Sequence, residues 1–133
     1  MLDYEKRDQI IFGKNRLKEY TNHGGVLHFG DNINPSITID TVKKLIDEGY
    51  LDEDSSQNYS PTAREFVKFC EKYPQVRMNG FVISPQRSDC DVVLTGLECD
   101  TDITLELILD FANNFHYADD FSVSEHWLYC WWD

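Results

Sequence analysis

The stretch RMNGFVISPQRSDCDVVLTGL, residues 77–97, decides the fold class of this chain. Two runs that favour β structure, RMNGFVIS at 77–84 and CDVVLTGL at 90–97, flank the turn-forming segment PQRSD. Runs rich in Val, Ile, Phe and Thr and bounded by Gly, Pro, Ser and Asp are typical of strands. We therefore predict two antiparallel strands joined by the loop at 85–89.

A helix and a further strand follow this pair. The segment TDITLELILDFANNFH, 101–116, places Leu107, Ile108, Phe111 and Phe115 on one apolar face, which Leu105, Leu109 and Ala112 widen. We predict a helix here, with its first N–H groups capped by Asp100, Thr101 or Asp102. An acidic turn, YADDFS at 117–122, then leads to a last strand within SEHWLYCWWD, 124–133. The C-terminal part is thus predicted to be a β-β-α-β unit.

The last strand has an unusual concentration of aromatic residues. Because side chains alternate along a strand, Trp127, Tyr129 and Trp131 should point one way, and the other set should point the opposite way: His126, Leu128, Cys130 and Trp132. A strand with two apolar faces is normally covered on both. We expect the 101–116 helix on one side and the N-terminal helices on the other. The alternative is that one aromatic face stays open, as a stacking platform or as the anchor of a protein interface.

The first 75 residues are predicted to be mainly helical. Helices are expected at 3–22, ended by Gly24 and Gly25, at 39–48 with Thr38 as N-cap, and from Ser60 as N-cap to Pro74. The short run VLHF, 26–29, is a candidate strand. The whole chain, 1–133, is therefore predicted to be one α+β domain, with N-terminal helices followed by the β-β-α-β unit of 76–133 and a small antiparallel sheet.

One segment carries a family resemblance. Residues 41–69, and in particular LIDEGYL at 45–51 and YSPT at 59–62, resemble the second half of the winged-helix domain of bacterial MarR- and PadR-like regulators. The resemblance implies a two-stranded wing at 52–58 and DNA contacts from Lys43 and Lys44. The wing position, however, carries DEDSSQN, whose acids would repel a duplex.

Charge is distributed very unevenly along the chain. The formal net charge is −12, yet residues 88–133 contain no Lys or Arg and eleven acids. An anionic surface of this kind attracts basic macromolecules and repels nucleic acid. No apolar run is long enough to span a bilayer and the N-terminus lacks an apolar signal-peptide core, so we expect a cytoplasmic protein without a membrane contact.

Recognisable sites for chemistry are missing from the sequence. The four cysteines form no CxxC pair and are expected to be reduced, buried thiols. Alternating acids in ECDTD, 98–102, do not fit a calcium loop, and the pattern predicts capping rather than a metal site. We predict no cofactor and no metal. Catalytic motifs are likewise missing, although an enzymatic site assembled only in three dimensions stays an alternative.

These observations favour a non-enzymatic protein that binds a basic protein partner through an acidic C-terminal surface. The residues predicted to contact the partner are Asp100, Asp102, Asp119, Asp120, Trp127, Trp131 and Trp132. A winged-helix DNA-associated regulator and an uncharacterised enzyme are the alternatives. The oligomeric state is not predicted.

Overall fold

A five-stranded antiparallel sheet organises the chain. The computed structural model describes residues 2–133. Its strands are β1 (Val26–Phe29), β2 (Arg77–Ile83), β3 (Val92–Cys99), β4 (Asp120–Val123) and β5 (Leu128–Trp131). They lie in the order β1-β2-β3-β5-β4, so that the C-terminal strand β5 inserts between β3 and the edge strand β4. Every neighbouring pair is antiparallel.

Five helical segments accompany the sheet. They are α1 (Tyr4–Phe12), a 3₁₀ helix (Leu17–His23), α2 (Ile39–Asp47), α3 (Ala63–Lys72) and α4 (Leu105–Phe115). The predicted α+β class, with N-terminal helices and a small antiparallel sheet, is confirmed. A single continuous core includes residues from Ile11 in α1 to Trp132, which follows β5 in the chain. No helix of residues 2–133 is both long and apolar enough to cross a membrane.

The predicted helix at 3–22 is wrong as one element. Gly13 ends α1 in the left-handed conformation, with φ of 79°, and its N–H bonds to the Gln9 carbonyl. The left-handed region costs glycine little, and a helix therefore ends there readily. The chain resumes as the separate 3₁₀ helix after Arg16.

Two predicted helix starts lie a few residues too early. Thr62, not Ser60, caps α3, and its hydroxyl and the Glu65 carboxylate form a reciprocal capping box. Thr104 caps α4 by accepting a hydrogen bond from Leu107 N at 3.2 Å. The predicted caps Asp100, Thr101 and Asp102 precede that helix, and Asp102 has φ of 50°, outside helical geometry.

The β-rich part also differs in detail from its prediction. The connection between β2 and β3 spans residues 84–91 and is therefore longer than the predicted loop at 85–89. The acidic turn predicted at 117–122 overlaps the edge strand β4, which begins at Asp120. Phe121 of β4 stacks on Phe111 of α4 with ring centroids 5.9 Å apart, and this contact brings an otherwise polar segment into the sheet.

The helices share one face of the sheet. The strand residues that face them belong to the buried core: Leu27, Phe29, Met78, Val82, Val92, Leu94, Leu97, Cys99, Leu128 and Cys130. On α4, Leu107, Phe111 and Phe115 are buried. Leu105 and Leu109 are 71% and 55% exposed, so the prediction that they widen the apolar face is wrong. Both lie on the solvent side of α4, which contacts the sheet with one stripe only.

The opposite face of the sheet carries no helix. We call it the open face, although Asn79 and Ile83 on it are buried. It is formed by the alternate strand residues Val26, His28, Arg77, Asn79, Phe81, Ile83, Val93, Gly96, Glu98, Asp120, Ser122, Tyr129 and Trp131. None of these side chains belongs to the core cluster. The expectation that β5 is covered on both faces is therefore wrong. The structure agrees with the alternative, in which one aromatic face of this strand stays open.

Candidate partner-binding surface

A row of aromatic rings crosses the open face along β5. Trp127 and Tyr129 stack with ring centroids 5.8 Å apart and an interplanar angle of 12°. Trp127 is 38% exposed, and Tyr129 and Trp131 are half-buried. Alternation places all three on one side because Leu128 and Cys130 fill the core between them. The strand thus turns one set of side chains inward and presents three flat rings outward.

A glycine lies directly beside this row. Gly96 of β3 is the register partner of Trp131, and a Cβ atom at that position would collide with the main chain of Cys130. Its missing side chain allows β3 and β5 to approach closely. Sequence alternation alone did not identify this role.

Carboxylates flank the aromatic row on both sides. Glu98 of β3 is opposite Tyr129, and Asp120 of β4 is opposite Trp131. Burial and the charges of Asp120 and Glu98 raise the pKa of the Tyr129 hydroxyl. Burial also raises the pKa of Glu98, against the opposing effects of the Ser36 hydroxyl and the Arg77 guanidinium. The rings and the acids therefore form one mixed surface.

Two recesses open on this surface. A cavity of about 60 Å³ lies between Ser36, Arg77, Glu98, Cys99, Asp100 and Trp127. A second, of about 170 Å³, is lined by His28–Asp31, Asn79, Gly80, Thr95, Tyr129 and Trp131. The first has room for little more than the end of a side chain. Trp127 lines the first, and Tyr129 and Trp131 line the second.

The predicted contact residues divide into two groups. Trp127, Trp131, Asp100 and Asp120 lie on or beside the open face. Trp132 is 1% exposed, and its ring packs edge-on to Phe66 and Phe115 at centroid distances of 5.9 and 6.2 Å. The prediction that Trp132 contacts a partner is therefore wrong. Its side chain points into the core, as do those of Leu128 and Cys130 on β5.

Asp119 and Asp102 are exposed but have structural contacts. The Asp119 carboxylate accepts a hydrogen bond from the Asp133 main-chain N at 2.8 Å and so holds the chain beyond β5 against β4. The Asp102 carbonyl accepts one from the Gln75 side chain at 3.0 Å in the connection before α4. Neither residue lies in the row of rings.

The eleven acids of the C-terminal third do not form one continuous patch. Lys72 of α3 lies 2.9 Å from Asp110 and 3.3 Å from Glu106, and Arg87 lies 2.7 Å from Asp89. Bases of the N-terminal part thus pair with acids of α4 and of the connection between β2 and β3. Glu98, Asp100 and Asp120 have no ion-pair partner within 4.0 Å in the described part of the chain. All three lie on or beside the open face, where Arg77 is the register partner of Glu98.

The segment that resembles a winged helix places little positive charge on the surface. Residues 52–58 form turns, and no strand occurs between α2 and α3 among the described residues. Lys43 lies 3.3 Å from Glu71, and Arg64 pairs with Glu53 at 2.8 Å and with Asp54. Of the two lysines that the resemblance assigns to DNA, one is therefore engaged in an ion pair.

A buried polar cluster under α1 was not predicted. Arg7 and Asp8 are 1% and 0% exposed; Arg7 Nη2 donates to the Tyr20 hydroxyl at 3.0 Å, and that hydroxyl donates to Asp8 Oδ1 at 2.9 Å. Arg7 Nη1 also donates to Cys90 Sγ at 3.3 Å. A cavity of about 220 Å³ borders Tyr4, Arg7 and Cys90. The Asp8 carboxylate is buried in this cluster, which joins α1 to the 3₁₀ helix and to the connection between β2 and β3.

No metal centre emerges from the fold. The described residues contain no group of three or more His, Cys, Asp or Glu side chains that could hold an ion. The four cysteines are free thiols, with Cys70, Cys99 and Cys130 buried and Cys90 partly accessible.

Comparison with known proteins identifies no relative. The chain matches no protein-family model, no curated protein and no solved structure.

Proposed function

We propose that this protein binds a basic protein partner, and that the open face receives the partner's arginine side chains. The observation that carries the proposal is the row Trp127, Tyr129 and Trp131 lying between the carboxylates of Glu98 and Asp120 on a sheet face without helices. The proposal includes the non-enzymatic role and the cytoplasmic location that the sequence predicts.

The chemistry of arginine fits both components of this surface. A guanidinium group stacks on tryptophan and tyrosine faces and forms paired hydrogen bonds with a carboxylate. Stacking of a cation on an aromatic ring contributes about 0.5–1 kcal/mol at exposed sites and about 2 kcal/mol when water is excluded. Trp127 and Tyr129 offer parallel rings, and Glu98 lies next to Tyr129 across the β3–β5 pair.

Nucleic acid is a poorer candidate for the same rings. A stacking platform for bases needs Lys or Arg to meet the phosphates. Here the charged side chains next to the row are Glu98 and Asp120, and the nearby Arg77 bonds to Ser36 through Nε at 2.9 Å. Phosphates would therefore be repelled where the bases would have to stack.

Calorimetric titration with hexa-arginine tests the proposal. We expect binding that the double substitution Glu98→Gln and Asp120→Asn weakens about tenfold or more, since each charge-assisted hydrogen bond contributes about 1.5–3 kcal/mol. The matched control is Asp40→Asn with Asp47→Asn, which removes the same charge from α2 on the helical side.

The two double variants separate local recognition from general attraction. Equal weakening by both would reduce the binding to the overall negative charge and would contradict the proposal. A duplex DNA of similar charge density, titrated under the same conditions, should not bind. Tight DNA binding that decreases steeply with salt would favour the winged-helix alternative.

A further inference from the structure

The strand β3 is longer than its partner β5. Only Gly96–Cys99 of β3 pair with β5, and one further hydrogen bond, from Trp132 N to the Thr95 carbonyl at 2.8 Å, extends the ladder. Residues 92–94 pair with β2 alone among the described strands. The sheet thus contains an internal stretch of strand edge beside the end of β5.

The register fixes which main-chain groups face this gap. Ile83 N of β2 bonds to the Asp91 carbonyl at 2.9 Å. The main-chain N–H and C=O groups of successive residues in an antiparallel strand point alternately to its two neighbouring strands. Because the Asp91 carbonyl points to β2, the main-chain groups of Val92 and Leu94 point away from β2. Val92 N donates a hydrogen bond to Oδ1 of the preceding residue, Asp91, at 2.8 Å. A carboxylate oxygen here takes the position that a strand partner's carbonyl would occupy.

A slot follows this strand edge. It measures about 410 Å³ and is lined on one side by residues 91–94 and on the other by Ser55–Asn58, Pro61 and Ala63. Asp91 and the first three residues of β3 are consecutive in this lining, whereas a cavity on a sheet face would be lined by alternate residues. Asn58 Nδ2 donates to the Asp133 carbonyl and so closes the end of the slot that adjoins β5. We call this cavity the edge slot.

We infer that the edge slot is a binding site for an extended, basic peptide segment of another protein, which pairs with β3 as a continuation of β5. Strand addition of this kind obtains affinity from main-chain hydrogen bonds and specificity from alternate side chains. About three residues fit along Val92–Leu94 at about 3.3 Å per residue.

Charge and polarity select the peptide. The slot wall carries the side chains of Ser55, Ser56, Gln57 and Asn58, and its strand side carries the Asp91 carboxylate. Burial raises the pKa of Asp91, and the charge of Asp52 on the adjoining loop raises it further. A lysine or arginine of the peptide next to Asp91 would relieve both effects, whereas an acidic peptide would add to them. The site is separate from the aromatic row and does not depend on the proposed function.

The test uses an acetylated, amidated pentapeptide, Lys-Thr-Val-Thr-Lys, titrated into the isotopically labelled full chain and followed by amide resonances. We expect saturable shifts at Val92–Leu94 and Ser55–Asn58. A matched peptide that is N-methylated at its central valine lacks one main-chain donor and should bind about tenfold more weakly.

Variants supply a second line of evidence. Ser56 is exposed and makes no hydrogen bond in the described structure, so Ser56→Trp should fill the slot, leave the fold intact and abolish the shifts. Thr21→Trp, on the exposed side of the 3₁₀ helix, is the control and should bind as the wild type does. The Glu98→Gln and Asp120→Asn variant should also bind normally, which keeps this test distinct from that of the open face.

Three results of the peptide titration would overturn the inference. They are saturable shifts that map to the edge strands β1 or β4, equal affinity of the N-methylated peptide, and no binding at millimolar peptide. Self-association of the chain through residues 92–94, seen as concentration-dependent shifts there without peptide, would assign the slot to a second copy and also contradict it.

Discussion

Asp8 Oδ1 accepts a hydrogen bond from Nε of Arg7, its neighbour in the chain, at 3.0 Å, and both side chains are buried. Arg7 Nη1 also donates to the Ile83 carbonyl of β2 at 3.1 Å. One arginine thus connects α1 with Asp8, with Tyr20 of the 3₁₀ helix and with the sheet. Burial raises the pKa of Asp8, and the Arg7 charge opposes that increase.

Replacing Arg7 with Met should therefore destabilise the protein strongly. Removing one partner of a buried ion pair leaves an uncompensated charge and costs about 3–5 kcal/mol. Lys6→Met is the control, because the Lys6–Glu48 pair at 3.0 Å is solvent-exposed and should contribute little. Urea unfolding of both variants at pH 7 measures the difference. Equal stability of the two would show that the cluster does not hold α1.

The cap of α4 provides a second test. Thr104→Ala removes the hydroxyl that accepts from Leu107 N and should cost about 1 kcal/mol of unfolding free energy. Thr101→Ala, which changes the exposed threonine that the sequence offered as a cap, should have almost no effect. Thermal unfolding of the two variants decides between the positions. A larger loss at Thr101 would mean that the helix begins earlier than residue 105.

These two sites illustrate what could be predicted from the sequence. Apolar periodicity identified the stripe Leu107, Phe111 and Phe115, because core contacts follow the helical repeat. The exact cap was not predictable, since Asp100, Thr101, Asp102 and Thr104 all have suitable side chains and only the tertiary path selects one.

The open face was only half predictable, for a related reason. Alternation in LYCW separated Tyr129 and Trp131 from Leu128 and Cys130. It could not say which set would be covered, because both are apolar. That answer depends on all helices packing on one face, and on β4 continuing the sheet beyond β5. The buried pair of Arg7 and Asp8 gave no signal in sequence, where two adjacent charges indicate a solvated helix.

Acid should weaken the contact between α3 and α4. Hydrogen bonds from Tyr73 and Lys72 lower the pKa of Asp110. A carboxyl whose pKa is lower in the folded state than in the unfolded state stabilises the folded state at pH values above its unfolded-state pKa, about 3.9. This stabilisation disappears as the pH falls through the folded-state pKa. Asp110→Asn should therefore be less stable than the wild type at pH 7 and should approach it below pH 3.

Urea titrations of both proteins across this pH range test the Asp110 prediction. A constant difference between them would show that the carboxylate charge is not responsible. Glu71→Gln on α3, at the exposed pair with Lys43, serves as a comparison, since an exposed ion pair contributes little to the free energy of unfolding.

Cys90 should be the first thiol to react with iodoacetamide. It is only partly buried and borders an open cavity of about 220 Å³. Burial raises the pKa of Cys70 to about 12 and also raises those of Cys99 and Cys130, so these three stay protonated and shielded. Peptide mapping by mass spectrometry after brief alkylation at pH 8 gives the order in which the four cysteines react. The Cys90→Ser variant is the control for labelling at that position. Prior labelling of Cys70 or Cys130 would indicate that the core opens readily.

The side-chain indole resonances of Trp127, Trp131 and Trp132 test the central claim most directly. Hexa-arginine should shift the Trp127 and Trp131 signals with a single saturation curve, while Trp132, buried against Phe66 and Phe115, stays unmoved as an internal reference. Shifts of all three together, or of none at saturating peptide, would contradict the assignment of the open face as the surface that receives the partner's arginines.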